Sequence, residues 1–236
     1  LSEFPIRHVS PLRGLIPNGG VYVFLGAHWR NKLWPALVPR PERLIYVFNT
    51  FHPRVSQIVS DLPFWLNWPR AELVLISDFQ AKILDLAGTV HPSPIDISRF
   101  TMRQQAVDRP FTIGRMSRDT PKKHSADDLD LYKRWLNAGL RLAIQGGSVL
   151  ANKMPPNPNF VLTQEGQVPA EQFLRGLDVF FYRSGEHVET FGRVIFEAMA
   201  CGVPVVCHSH GGYADHIEHG VNGYLFETNA QAAAII

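Results

Sequence analysis

Two carboxylates, Glu189 and Glu197, stand in the stretch GEHVETFGRVIFEAMACGVPVVC, residues 185–207. Glu197 is set among Ile195, Phe196, Ala198 and Met199. A carboxylate there is costly to bury without a partner. Good helix formers run from Phe191-Gly192 to Gly202, a natural helix stop, and Val203-Pro204-Val205-Val206-Cys207 then reads as a short buried strand. A glycine-led helix start offers the amides of Phe191, Gly192, Arg193 and Val194 to an anion. Glu197, about two turns in, could then accept hydrogen bonds from the hydroxyls of the same ligand. Its alternative is an ion pair with Arg193, four residues earlier on the same face.

A second group of candidates follows the strand expected at 111–114: Gly114, Arg115, Lys122 and Lys123. Arg offers a planar fork and Lys a point charge, and together they can converge on a diphosphate. The bland alternative is a solvated basic loop. Gly146-Gly147 and Gly211-Gly212 end later strands, where a bare backbone can approach a ligand or simply turn. His28, Asn49 and His52 follow strands in the first third and are candidates for an acceptor, with structural roles as the alternative. His187, His208, His210, His216 and His219 cluster in sequence as a zinc site would require. There is no HExxH and no thiol arranged as a ligand, so no metal is expected. Neither a Walker loop nor G-x-G-x-x-G is present.

The elements that must position these residues alternate. Strands are expected at 21–25, 44–48 and 73–76, with helices at about 54–60 and from Ser77-Asp78 to Leu86. Residues 91–110 carry prolines and no periodicity, as a hinge would. Alternation restarts with strands at 111–114, 140–144, 160–163, 178–182, 203–207 and 224–226, and helices at 127–138, after Pro169, at 212–219 and at 230–236. Such a pattern predicts an α/β chain of parallel sheets covered on both faces. The expected organisation is a partial first doubly wound unit at 1–92, a linker at 93–110 and a second unit at 111–236. Only three candidate strands precede the linker, so the first unit is expected to be incomplete. A chain that opens on Leu and stops within a helical run reads as a fragment.

The 236 residues are 45% hydrophobic with a formal net charge of +2, an ordinary globular balance that gives no reason to expect nucleic acid. Basic residues crowd the first third, where Arg7, Arg13, Arg30, Lys32, Arg40, Arg43, Arg54 and Arg70 face only Glu3, Glu42 and Asp61. That region, which also carries tryptophans, is a candidate for contact with an anionic acceptor or for peripheral contact with an inner membrane. A mixed solvated surface is the alternative. Cys201 and Cys207 read as buried free thiols, which suits a reducing cytoplasm.

Taken together, E-x-F-G-x-V-x-x-E-A-M-A-C-G-x-P-V-V with its Glu-x7-Glu spacing, Gly211-Gly212 and Gly220-x-x-Gly223 resemble the donor-binding domain of retaining GT-B glycosyltransferases, family 4. The resemblance runs from about Phe111 to Phe226. Pro92-Ser93-Pro94-Ile95-Asp96 resembles that family's inter-domain P-x-G-V-D segment, with Pro94 in place of glycine. The resemblance implies two Rossmann-like units with a cleft between them. It implies metal-independent transfer of a sugar from a nucleotide-diphosphate sugar to a glycan, lipid or small-molecule acceptor, with retention. Arg115 and Lys123 (or Lys122) would neutralise the diphosphate, Glu197 would hold the ribose, and Glu189 would lie near the transferred sugar. Phe191, Gly192, Arg193 and Val194 would offer amides. Asp215 stands where the family more often has Glu, which leaves a sugar contact there open. A nucleotide-sugar-binding domain without catalysis is the alternative.

Overall fold

The computed structural model describes residues 10, 13–26, 34–51, 66–103 and 109–236. The expected helix at 54–60 lies outside them, as do His28 and His52. The described chain divides into two compact units, Leu1–Pro92 and Ser93–Ile236. Residues 93–103 therefore group with the second unit: Phe100 is buried in its core, and Arg99 pairs with Glu171.

In the first unit, β1 (Val21–Leu25), β2 (Arg43–Phe48), β3 (Ala71–Leu75) and β4 (Thr89–Val90) form one parallel sheet in the order β1-β2-β3-β4. β4 is a two-residue strand that the sequence reading passes over. α1 (Asp78–Leu84) starts where Ser77-Asp78 predicts and ends at Leu84 rather than Leu86: the Ser77 hydroxyl accepts from the Gln80 amide, and the Gln80 side chain accepts from the Ile76 amide. Trp68 is buried against Tyr22, which gives this tryptophan of the first third a core role.

The second unit holds β5 (Thr112–Met116), α2 (Asp128–Asn137), β6 (Arg141–Gln145), β7 (Phe160–Thr163), α3 (Ala170–Arg175), β8 (Val179–Tyr182), α4 (Arg193–Ala200), β9 (Val205–His208), β10 (Tyr224–Phe226) and α5 (Asn229–Ile235). Its six strands are all parallel, in the order β10-β9-β8-β5-β6-β7. Chain order thus runs outward from β5 in one direction and then, from β8, in the other. This is a doubly wound α/β arrangement. Alternating residues feed two cores. Phe180, Tyr182, Val205 and Cys207 face one with Leu174, Ile195 and Ala198; Phe181 and Val206 face the other with Leu131, Trp135, Leu136 and Ala232.

Two expectations are corrected. β5 runs on to Met116, so Arg115 belongs to the strand rather than to the loop behind it. The helix expected at 212–219 is a single 3-10 turn, Ala214–His216. The Asn222 side chain accepts from the Glu218 amide and donates to the His216 carbonyl. Those backbone groups are taken by a side chain instead of a further helical turn. Among the described residues, no helix is long and apolar enough to cross a membrane.

Candidate functional site

β5 has β6 on one side and β8 on the other, and the chain leaves these strands in opposite directions. A crevice therefore opens at their carboxyl ends, where ligands of doubly wound sheets bind. The ends of β5 and β8 bring Arg115, Lys123, Tyr182, Arg183 and Glu189 together there.

Arg115 is fully buried. One guanidinium nitrogen donates to the Arg183 carbonyl at 2.6 Å and another to the Lys123 carbonyl. The guanidinium carbon lies 4.8 Å from the centre of the Tyr182 ring, a cation–π contact. Its Nε has no partner, and among the described residues no carboxylate lies within ion-pair distance of it. Arg115 thus acts as a strut between two loops and as a buried positive charge; it does not reach into the open crevice. Gly114 also has a packing reason: a Cβ there would fall 2.2 Å from the Leu177 side chain.

Lys123 is almost buried, and its ammonium donates to Glu189 Oε1. The Tyr182 hydroxyl donates to the same oxygen. Burial alone would push the Glu189 carboxyl up, but Lys123 and the two donated hydrogen bonds outweigh it and hold it below the usual range. The Lys123 ammonium is pulled down by burial, with Glu189 opposing. Lys122 next door is exposed. His187 Nε2 lies 3.6 Å from the other Glu189 oxygen.

Beneath these groups lies a buried network. Arg183 Nε donates to Asp128 Oδ1 at 2.7 Å, and its Nη2 donates to Asn229 Oδ1 at 2.7 Å. Asp128 is the first residue of α2 and is almost fully buried. The pair pins the end of β8 to the starts of α2 and α5. A neighbouring ring, His124, places Nε2 2.9 Å from the Gly146 carbonyl. Burial, then Arg115, lowers its proton affinity to a pKa of about 4.

α4 begins at Gly192 with φ 79°, a conformation glycine adopts freely, and has no side-chain cap. Ile195 donates back to the Gly192 carbonyl, while the amides of Phe191, Gly192, Arg193 and Val194 make no backbone–backbone hydrogen bond among the described residues. Glu197 sits 3.5 Å from Arg193 Nη2, so the alternative pairing is present. Burial raises the Glu197 carboxyl, against the pull of Arg193 and Arg99. Val194 also lines a cavity of about 400 Å³ with Arg99, Met116, Arg118, Gln145 and Val168.

The glycine loops divide. Gly212 donates to the Glu189 carbonyl at 2.9 Å and so ties the loop after β9 to the site. Gly211 makes room for the Tyr213 ring. A Cβ at Gly146 would stand 1.8 Å from the Ser117 carbonyl, so this close approach serves the protein's own chain. Asn49 follows β2 in the first unit, beside Gly26. The five clustered histidines do not converge: among the described residues no group of three or more His, Cys, Asp or Glu could hold a metal ion. Cys201 and Cys207 are both free and buried.

Tyr182, Arg183, Asp128 and His124 escaped the sequence reading. Arg183-Ser184-Gly185 directly after an apolar strand was the available signal for the first two, since it marks β8 as ending at the crevice. Nothing local flags Asp128 as buried.

Residues 101–236 match the model of the family described as glycosyl transferases group 1. Among curated proteins, an N-acetyl-alpha-D-glucosaminyl L-malate synthase from Bacillus anthracis is 54% identical over 39 residues, 16% of this chain and 10% of that protein. Sucrose synthase 2 from Pisum sativum is 53% identical over 36 residues, 15% of this chain and 4% of that protein. Among solved structures, HepE from Anabaena in complex with UDP and glucose aligns with TM-score 0.62 at 21% identity, covering 82% of this chain and 60% of that one. TarM aligns with TM-score 0.65 at 17% identity, covering 95% and 48%. The chain thus spans about half to three fifths of the length of these solved structures.

Proposed function

The chain belongs to the glycosyl transferases group 1 family, and from that premise we propose that the second unit binds a nucleotide-diphosphate sugar, whose sugar the whole protein transfers, with retention, to a glycan, lipid or small-molecule acceptor. The observation that carries this reading is the unbalanced charge at the switch point. Among the described residues Arg115 is buried with no carboxylate at ion-pair distance, its charge offset only at longer range by Asp128, and Lys123 adds a second charge beside it. Three cations (Arg115, Lys123, Arg183) meet two carboxylates (Glu189, Asp128). A buried surplus of positive charge beside open helix amides suits a diphosphate.

The chemistry follows from where charge develops. Breaking the bond between the anomeric carbon and the diphosphate leaves negative charge on the departing phosphate. Lys123, the field of Arg115 and the amides at the start of α4 stabilise that charge in place, with no metal required. Glu189 is held ionised by Lys123 and Tyr182 and faces the transferred sugar. Glu197 holds the ribose hydroxyls, and the cavity lined by Met116, Gln145 and Val168 takes the base. The UDP in the HepE complexes favours uridine as that nucleoside.

Calorimetry with UDP, GDP and uridine tests the reading. UDP should bind, and Lys123→Ala should weaken UDP by about 1.5–3 kcal/mol while leaving uridine unchanged. A folded chain that binds no nucleoside diphosphate would sink it. Sugar release from a panel of nucleotide sugars in excess chelator tests transfer and metal independence. The share of the solved structures that the chain spans favours a second reading, nucleotide-sugar binding without independent catalysis. It expects UDP to bind and no sugar to be released.

A further inference from the structure

We propose that His187 is a third arm of the diphosphate site and takes up a proton as the diphosphate docks. The inference rests on the donor-site reading above.

The first support is placement. The segment after β8 lies directly on the segment that carries Lys123. The His187 amide donates to the Lys122 carbonyl at 3.0 Å. Gly185 passes so close that a Cβ there would stand 2.5 Å from the His124 carbonyl. His187 is thereby fixed beside Lys123 by backbone contacts, independently of its ring. The ring nitrogen Nε2 lies 3.6 Å from Glu189 Oε2, while Lys123 and Tyr182 both use Oε1. The His187 side chain is 35% exposed, against 9% for Lys123 and 13% for Glu189. It is therefore the member of the trio that stands on the open side, where an incoming anion arrives.

The second support is electrostatic. The charged groups facing the ring are Lys123, Arg118 and Glu189. Burial and Lys123 lower its proton affinity, and Glu189 only partly offsets them. The free ring is neutral at neutral pH and repelled by Lys123. A diphosphate on Lys123 cancels that repulsion and adds attraction from its own oxygens, and both effects favour the imidazolium. The protonated ring gains a second N–H donor, and the phosphate gains a charge-assisted hydrogen bond. No bond to the ligand is made or broken.

The test is calorimetry of UDP binding to the whole chain at pH 7 in buffers of different ionisation enthalpy, for wild type and His187→Gln. Wild type should take up more protons than the variant, by as much as one per site. Its UDP affinity should fall more steeply between pH 6 and 8, by up to about tenfold per pH unit relative to the variant. Titration of the UDP phosphate is common to both proteins, so the difference isolates the ring. Equal uptake, or a variant with the same affinity and pH slope as wild type, would overturn the proposal. UDP failing to bind either protein would overturn the donor-site reading and this inference with it. Should His187→Gln not fold, the His187 ring resonances of wild type, followed by NMR during a UDP titration, read the same proton directly: no upward movement of the ring pKa would defeat the idea.

Discussion

The two sheets are built from the same kind of strand, yet they bury different things. In the first, β1 to β4 lie side by side in chain order, and each new strand joins the same edge. Among the described residues its buried polar side chains are Ser77 and Gln80, and both satisfy the backbone at the start of α1. In the second, the order reverses at β5 and β8, and there the chain buries Arg115, Lys123, Asp128 and Arg183. Strand-order reversal opens a crevice between loops that diverge, and there Lys123, Asp128 and Arg183 are buried as pairs while Arg115 is held by carbonyls. Among the described residues, the first sheet packs without a buried ion. Those in the second unit stand where a ligand would be met.

The strongest way to break this comparison is to remove one ion. Asp128→Ala leaves Arg183 buried without its carboxylate and should cost about 3–5 kcal/mol in urea unfolding. The first unit offers the control. Arg43 and Glu72 make a two-point pair, but on the surface. Arg43→Ala should leave the unfolding midpoint unmoved, because water replaces the lost partner. Equal effects would mean that the crevice network is no more than a pair of ions.

A smaller effect comes from the glycines. Gly146 has φ +77° and the Ser117 carbonyl in the place of its Cβ. Gly146→Ala combines left-handed strain with a backbone clash, about 2–4 kcal/mol in all. Gly20 has φ +82° with open space around it, so Gly20→Ala should show strain alone, about 1 kcal/mol. Thermal melts of both variants, with and without UDP, separate a loop held for the site from a loop that merely turns. Only Gly146→Ala should also lose UDP affinity.

Much of this arrangement was legible before the fold. The central strands β5, β6, β8 and β9 are legible because both of their faces are buried, and Ser77-Asp78 marks the start of α1. Glu189 and Lys123 each stand out by following a strand end, but their direct ion pair is something only the fold reveals. What sequence could not show is burial set by distant partners. Asp128 and Arg183 are 55 residues apart, and nothing near Asp128 distinguishes it from the exposed Asp130. Arg115 read as a loop residue because Gly114 looked like a strand end, whereas Gly114 is small to admit Leu177. Helical propensity at 212–219 was overridden by the Asn222 side chain, a contact within reach of local sequence but invisible to periodicity.

Acidity should sharpen the contrast further. His124 has a folded pKa of about 4, below the roughly 6.5 of an imidazole in an unfolded chain. Between those values the unfolded chain binds more protons. The stability this ring contributes is therefore complete above about pH 6.5 and is lost as pH falls toward 4. With allowance for the part of the ring in water, the loss is roughly 2 kcal/mol. Urea midpoints at pH 7 and pH 4.5 should differ more for wild type than for His124→Gln. A variant that loses as much as wild type would show that the burial of this ring is not what titrates.

The finest discrimination is between two tyrosines. Tyr22 in the first unit donates to the Pro39 carbonyl at 2.9 Å, and Tyr182 in the second donates to Glu189. Tyr22→Phe removes a neutral hydrogen bond, worth about 1 kcal/mol. Tyr182→Phe removes one to a buried carboxylate, worth about 1.5–2 kcal/mol, because Lys123 still holds the same oxygen. The difference in stability is small, but the difference in pH response is qualitative. Glu189 is held below its ordinary range against burial, so its contribution is present above its unfolded pKa and is lost as pH falls through the lowered folded value. Without the Tyr182 hydroxyl the folded value rises toward the unfolded one, so the acid loss is smaller and ends at higher pH. Tyr22 faces no titrating group through its hydroxyl, so Tyr22→Phe should shift the stability curve down without moving its acid edge. An unmoved acid edge in Tyr182→Phe would mean that Lys123 alone keeps Glu189 ionised, and that the crevice is one ion pair rather than a network.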